Sequence, residues 1–140
     1  MEGKCAVMEY FDSKGELCSP LYYEQFRDEF VQKCQVIVDE HMKQYSWEQK
    51  LSMSKGRRYD KIVSTDTSSH AQPSSRVWGF IDKTNGDILK PESWRKPAKH
   101  ARGNIYESPS VDGRKNDDSM QFIGPHGPAY MDTIKEYYGV

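Results

Sequence analysis

Between residues 20 and 45, Tyr23, Phe26, Phe30, Cys34, Ile37, His41 and Tyr45 recur at steps of three and four. That spacing lines one side of an α-helix, and it constrains this chain more than any other feature of its sequence. Ser19 fits the N-cap and Pro20 the first helical position, where a missing N–H costs nothing. A long helix with one apolar stripe must bury it against a second layer. At 140 residues with 36% hydrophobic content, the chain can build one modest core.

The second layer reads as strands. "RVWGFIDKTNGDILKP", residues 76–91, is the clearest hairpin: Asn85-Gly86 suits the positive φ values of a tight turn, with β-favouring residues on both sides. The run "VWGFI" is apolar on both faces and predicts a central strand covered on both sides. "RRYDKIVS" at 57–64 reads as another strand, and "TDTSSHAQPSS" after it as a polar loop. "CAVMEYF" near the start has the makeup of a short strand, ended by the turn signal "DSKGE". "SWEQ" at 46–49 has capping-box form and predicts a short second helix closed by Gly56.

In "SWRKPAKHARGNI", residues 93–105, Trp94, Ala98, Ala101 and Ile105 fall at offsets of four, three and four, and Arg95, Lys99 and Arg102 repeat the pattern one step along. This predicts a short closing helix over 94–102, limited by Pro97 and stopped by Gly103-Asn104. "ESPSVDGRKNDDSM" at 107–120 has the composition of a polar linker. Tyr130, Ile134, Tyr137 and Tyr138 mark a terminal helix. The expected fold class is therefore α+β: a long N-terminal helix packed on a three- or four-stranded antiparallel sheet. The expected organisation is a core domain over 1–106, the linker over 107–120 and a C-terminal segment over 121–140.

With 20 basic against 21 acidic residues, no global field attracts nucleic acid, so only a local patch could do so. One candidate patch is basic. Residues 93–104 hold Arg95, Lys96, Lys99 and Arg102 and no acid, and "SKGRRYDK" adds Lys55, Arg57, Arg58 and Lys61 on what could be a neighbouring strand. Arg and Lys gathered this way could cradle phosphate. The same residues could equally be a solvated face that keeps a small helix wet. Trp78, Phe80 and Trp94 could stack on bases, but strand and helix-face positions fit core better.

Other chemistry finds less support. Cys5, Cys18 and Cys34 are odd in number and lack metal-type spacing, which suits reduced thiols packed as small hydrophobes. None of His41, His70, His100 and His126 pairs with another His or Cys at a chelating spacing, so no metal is expected. "DKTNGD" lacks the acidic spacing of an EF-hand. No nucleophile elbow or glycine-rich phosphate loop is present, and neither catalysis nor a cofactor is expected. No apolar run approaches a membrane span, and the N-terminus lacks a secretory apolar region, so no membrane partner is expected.

"RVWGFIDKTNGDILKPESWRKPAKHARGNI" resembles a group of small uncharacterised proteins of bacteriophages and large DNA viruses, which share an aromatic strand, a "TGD" hairpin turn and a "K..SW..PAK..RGN" pattern. The likeness covers about a third of the chain and implies a viral origin, with residence in the host cytoplasm or the virion; it brings no activity. "RKPAKHA" is also similar to the lysine-rich start of the last helix in double-stranded RNA-binding domains, with Lys96, Ala98 and Lys99 matching. Two functions are therefore expected as alternatives. One is a non-catalytic accessory protein binding nucleic-acid phosphate or an anionic nucleotide through Arg57, Arg58, Lys61, Arg95, Lys96, Lys99 and Arg102. The other is a virion-structural or interaction protein that docks on a viral or host protein through its Tyr-rich C-terminal segment.

Overall fold

A computed structural model describes residues 10–11, 17–18, 22–45, 48–66, 74–106, 111–114 and 118–139. A two-stranded pair of β1 (Tyr10–Phe11) and β2 (Leu17–Cys18) precedes helix α1 (Tyr23–Met42). Five strands follow: β3 (Gln49–Ser54), β4 (Tyr59–Asp66), β5 (Ser74–Asp82), β6 (Asp87–Leu89) and β7 (Gly103–Asn104). They form one antiparallel sheet in chain order. A small hairpin, β8 (Ile123–Gly124) and β9 (Gly127–Pro128), and helix α2 (Met131–Tyr138) complete the chain. The expected α+β class holds.

Helix α1 buries Tyr23, Arg27, Phe30, Cys34, Val38 and Met42 against the sheet. This stripe starts on the expected residues but ends on Val38 and Met42; Ile37 and His41 are half-buried. Val38 is fully enclosed, with Ile62, Trp78, Ile81 and Ile88 in the same apolar cluster. The proposed cap at Ser19-Pro20 lies outside the described residues. Tyr22 stands before the helix at φ 72° and gives no side-chain cap.

Strand β5 explains why "VWGFI" reads as apolar on both faces. Ile62 pairs with Gly79 but Val63 pairs with Val77, so Trp78 is an extra residue, a β-bulge. The bulge shifts the alternation by one. Trp78 and Ile81 pack in the helix-side cluster, while Val77 and Phe80 pack with Leu89 and Ala101 on the opposite face. In a regular strand, positions three apart would face opposite ways. Gly79 at the bulge leaves room for the small hairpin: a Cβ there would stand 3.3 Å from the Pro128 ring.

Three expectations are corrected. Residues 49–54 form edge strand β3, not a helix; Leu51 and Met53 are half-buried between exposed neighbours, which is a strand's period of two. The sheet accordingly has five strands, not three or four. Residues 94–102 form no helix. Pro91 and Pro97 make an antiparallel bridge, the Lys96 carbonyl accepts from the N–H groups of Glu92 and Ser93, and the Ala98 N–H donates back to Lys90. A loop so closed cannot also make helical i to i−4 bonds, and Pro97 has no N–H to give. Within the expected linker, Val111 is fully buried in a cluster with Phe122 and Ile134 of the C-terminal segment; residues 107–110 and 115–117 lie outside the described residues.

The β5–β6 connection differs in detail from a two-residue turn. Only Gly86 takes positive φ, at 82°; a Cβ there would stand 2.5 Å from the Tyr106 ring. Asp82 accepts from the Thr84 N–H and hydroxyl, and Asn85 accepts from the Asp87 N–H. Asn104, fully buried, donates through Nδ2 to the Asn85 carbonyl and to Asp87 Oδ1, both at 2.9 Å.

Asp60 is the polar centre of the helix–sheet interface. Its carboxylate is fully buried and accepts from Tyr23 Oη at 2.8 Å, Arg27 Nη1 at 3.1 Å and the Gly56 N–H at 3.2 Å. Burial, and then the Asp60 charge, push the Tyr23 phenol above its ordinary range, so it stays a donor. Burial pulls the Arg27 guanidinium down, but its bonds to Asp28 and Asp60 outweigh this and leave it raised. Substituting Asp60→Asn removes the buried anion of Arg27, leaving it only the exposed Asp28, and is expected to cost on the order of 3 kcal/mol in urea unfolding at pH 7. Tyr23→Phe, which leaves one carboxylate lone pair unanswered, should cost about 1 kcal/mol. A D60N protein within experimental error of the wild type would refute this account.

Asp87 supplies a pH test. Burial, partly offset by the Asn104 bond and reinforced by the Asp82 charge, pushes its carboxyl up to about 6. A carboxyl raised on folding favours the folded state below its unfolded pKa of about 4, and that contribution is lost as pH climbs through about 6. Asp87→Asn keeps an acceptor for Asn104 and removes the buried charge. It should therefore raise stability on the order of 1 kcal/mol at pH 8, allowing for residual solvent access, and change little at pH 4. Thermal melts at the two pH values check this; equal destabilisation at both would contradict it.

Candidate functional site

The loop between β3 and β4 carries Lys55, Arg57 and Arg58, and β4 continues with Lys61 on the face away from helix α1. Alternation sets this: Asp60 and Ile62 point toward the helix, so Tyr59 and Lys61 point the other way. The Pro91–Pro97 loop brings Arg95 to the same place. Lys55, Arg57, Arg58, Lys61 and Arg95 line one groove of about 300 Å³, together with Tyr59 and Phe80, and among the described residues no acidic one lines it. Its loop is held from below: the Gly56 N–H binds Asp60, the Gly56 carbonyl accepts from Lys83 Nζ at 2.9 Å, and the Arg58 carbonyl accepts from the Lys83 N–H at 2.8 Å.

Four of the seven basic residues singled out in the sequence thus come together. Arg58 is partly answered, with its Nη2 3.2 Å from Asp82 Oδ2. Among the described residues, no carboxylate lies in ion-pair range of Lys55, Arg57, Lys61 or Arg95. Cations held this way keep their charge for an incoming anion.

The other three part company. Lys96 points outside the groove and pairs with Glu92 at 3.7 Å on an exposed loop. Lys99 lines a neighbouring cleft. Arg102 is a correction: it is 6% exposed and donates to the carbonyls of Lys99, His100 and Ala129 at 2.7–3.2 Å. Burial lowers its guanidinium, against a partial rise from Asp112, and it serves as an internal staple. Lys90 is similar: burial and then the Arg102 and Arg76 charges lower it, and its Nζ donates to the Pro128 carbonyl.

Trp94 is a second correction. Trp78 and Phe80 are buried as expected, but Trp94 is 50% exposed at the tip of its loop. Lys61 Nζ sits 4.4 Å from the centre of its ring. This cation–π contact joins the loop to β4 at the groove.

The neighbouring cleft, about 580 Å³, shares Arg58 and Tyr59 with the groove. Asp82, Asp87, His100 and Asp112 line it, and sequence reasoning passed over them. The only signal was the acidic "DKTNGD" run, which the hairpin explained. Asp82 holds Arg58, and Asp112 Oδ1 lies 3.1 Å from His100 Nδ1. A cleft lined by three carboxylates exerts less pull on an anion than the basic groove beside it. His41 and His126, from distant parts of the chain, bring their rings within 5.2 Å. Among the described residues, no group of three or more His, Cys, Asp or Glu could hold a metal ion, and no helix is long and apolar enough to cross a membrane.

Comparison with known proteins adds a family and no activity. No curated protein and no solved structure matches the chain. A model of a family of unknown function, DUF7717, matches residues 5–118, which take in helix α1, the whole five-stranded sheet and every basic residue of the groove. The chain belongs to that family of unknown function.

Proposed function

We propose that this protein is a small non-catalytic accessory protein, of the viral kind its sequence resembles, whose basic groove binds the phosphates of a nucleic acid or an anionic nucleotide. One observation carries the reading. A chain with net charge −1 gathers Lys55, Arg57, Arg58, Lys61 and Arg95 around a groove that, among the described residues, no acid lines. Such a site attracts phosphate locally without a basic protein overall. Contacts of this type position a backbone and carry no base identity. A host-cytoplasmic site of action follows from the same viral reading.

The alternative, docking on a viral or host protein, has its own support. Tyr130, just before helix α2, and Tyr137, within it, are 69% and 64% exposed, and exposed tyrosines suit interfaces. Ionic strength separates the two readings. With about three to four phosphates neutralised, affinity should fall roughly 20- to 150-fold between about 50 and 200 mM salt, whereas tyrosine-led docking should barely respond.

The test is fluorescence anisotropy with labelled single- and double-stranded DNA and RNA across that salt range. Arg57→Ala/Arg95→Ala removes two exposed side chains that make no internal ion pair, so its circular dichroism should match the wild type. It should bind at least tenfold more weakly with a shallower salt slope. Wild-type protein that binds none of these ligands, nor free nucleotides, would refute the groove and leave the tyrosine surface as the better reading.

A further inference from the structure

We infer that the groove takes a single nucleic-acid strand, with Trp94 stacking on an unpaired base while Arg57 and Arg95 hold the flanking phosphates; this rests on the phosphate-binding reading of the groove. Trp94 is the observation that needs explaining. The core took Trp78 and left Trp94 half exposed, although Trp is among the side chains with most to gain from burial. It is also held in place. The Pro91–Pro97 bridge and the paired N–H groups of Glu92 and Ser93 on the Lys96 carbonyl fix the loop, and Lys61 lies over the indole.

An indole presented on a closed loop costs little further ordering when a planar ligand meets it. Arg95, the next residue, lines the groove, so an aromatic surface and a phosphate-binding cation sit side by side. That pairing is the recognition chemistry of single strands, where every base offers a π-face and the backbone follows a basic channel. In a duplex the base faces are taken by their stacking neighbours, so Trp94 would have nothing to meet. Lys61 serves both halves: it orients the ring and adds positive charge in the groove.

The experiment compares four labelled ligands on the full chain at low salt: a single-stranded oligonucleotide, its duplex, an abasic strand with the same number of phosphates, and a mononucleotide as competitor. The single strand should bind tightest, and Trp94→Ala should weaken it roughly 10- to 100-fold, with Trp94→Phe restoring most of the loss. The abasic strand should bind weakly and be indifferent to Trp94. Quenching of intrinsic fluorescence by the strand should fall in W94F. If the abasic strand or the duplex binds as well as the single strand, and W94A changes neither, stacking is refuted while phosphate binding stands. A mononucleotide that competes as well as the strand would replace strand with nucleotide. If no ligand binds, the phosphate reading itself has failed.

Discussion

A single carboxylate, Asp60, joins the parts on which everything else rests. It lies within the sheet, fully enclosed, and takes hydrogen bonds from helix α1 through Tyr23 and Arg27 and from the β3–β4 loop through Gly56. A buried charge is tolerated only when paired and fully hydrogen-bonded. The helix must therefore be seated for the carboxylate to be satisfied, and the loop must be folded for the same reason. That loop carries Lys55, Arg57 and Arg58 into the groove. The packing of the helix on one face of the sheet is thus coupled to the shape of the candidate site on the other.

The sheet divides the molecule into two apolar environments, and the bulge at Trp78 fixes the division. Without the extra residue, Phe80 would follow Trp78 to the helix side and the groove would lose part of its floor. The groove is therefore a product of strand register as much as of charge. Its cations are spread over three elements and reach one place only because β4 and the Pro91–Pro97 loop sit on the same side.

Much of the fold was legible where the signal is local. The three-and-four spacing of Tyr23, Phe30 and Cys34 announced the helix, and Asn85-Gly86 between β-favouring runs announced the hairpin. The reading failed where distant partners decide. Arg27 is buried because Asp60 lies 33 residues away, and Arg102 is buried because Ala129 supplies a carbonyl; neither partner is visible in the neighbouring sequence. "SWEQ" imitates a helix start, yet β3 gains more from pairing with β4 along its whole length. The basic site was half legible. Arg57, Arg58 and Lys61 announce themselves by adjacency, but only the folded loop places Arg95 with them and shows Trp94 outside the core.

The small hairpin at 123–128 has a consequence for how the protein comes apart. Trp78 Nε1 donates to the Pro125 carbonyl, Lys90 Nζ to the Pro128 carbonyl and Arg102 Nε to the Ala129 carbonyl. Lifting the hairpin together with Ala129 would break the indole and ammonium bonds and one of the three carbonyl bonds of Arg102, the others running to Lys99 and His100, at about 1 kcal/mol each. A short surface hairpin ordinarily frays early. This one is fastened by three donors from the body itself, so its backbone amides should exchange with solvent as slowly as those of the central strands, and the sheet should not outlive it on unfolding.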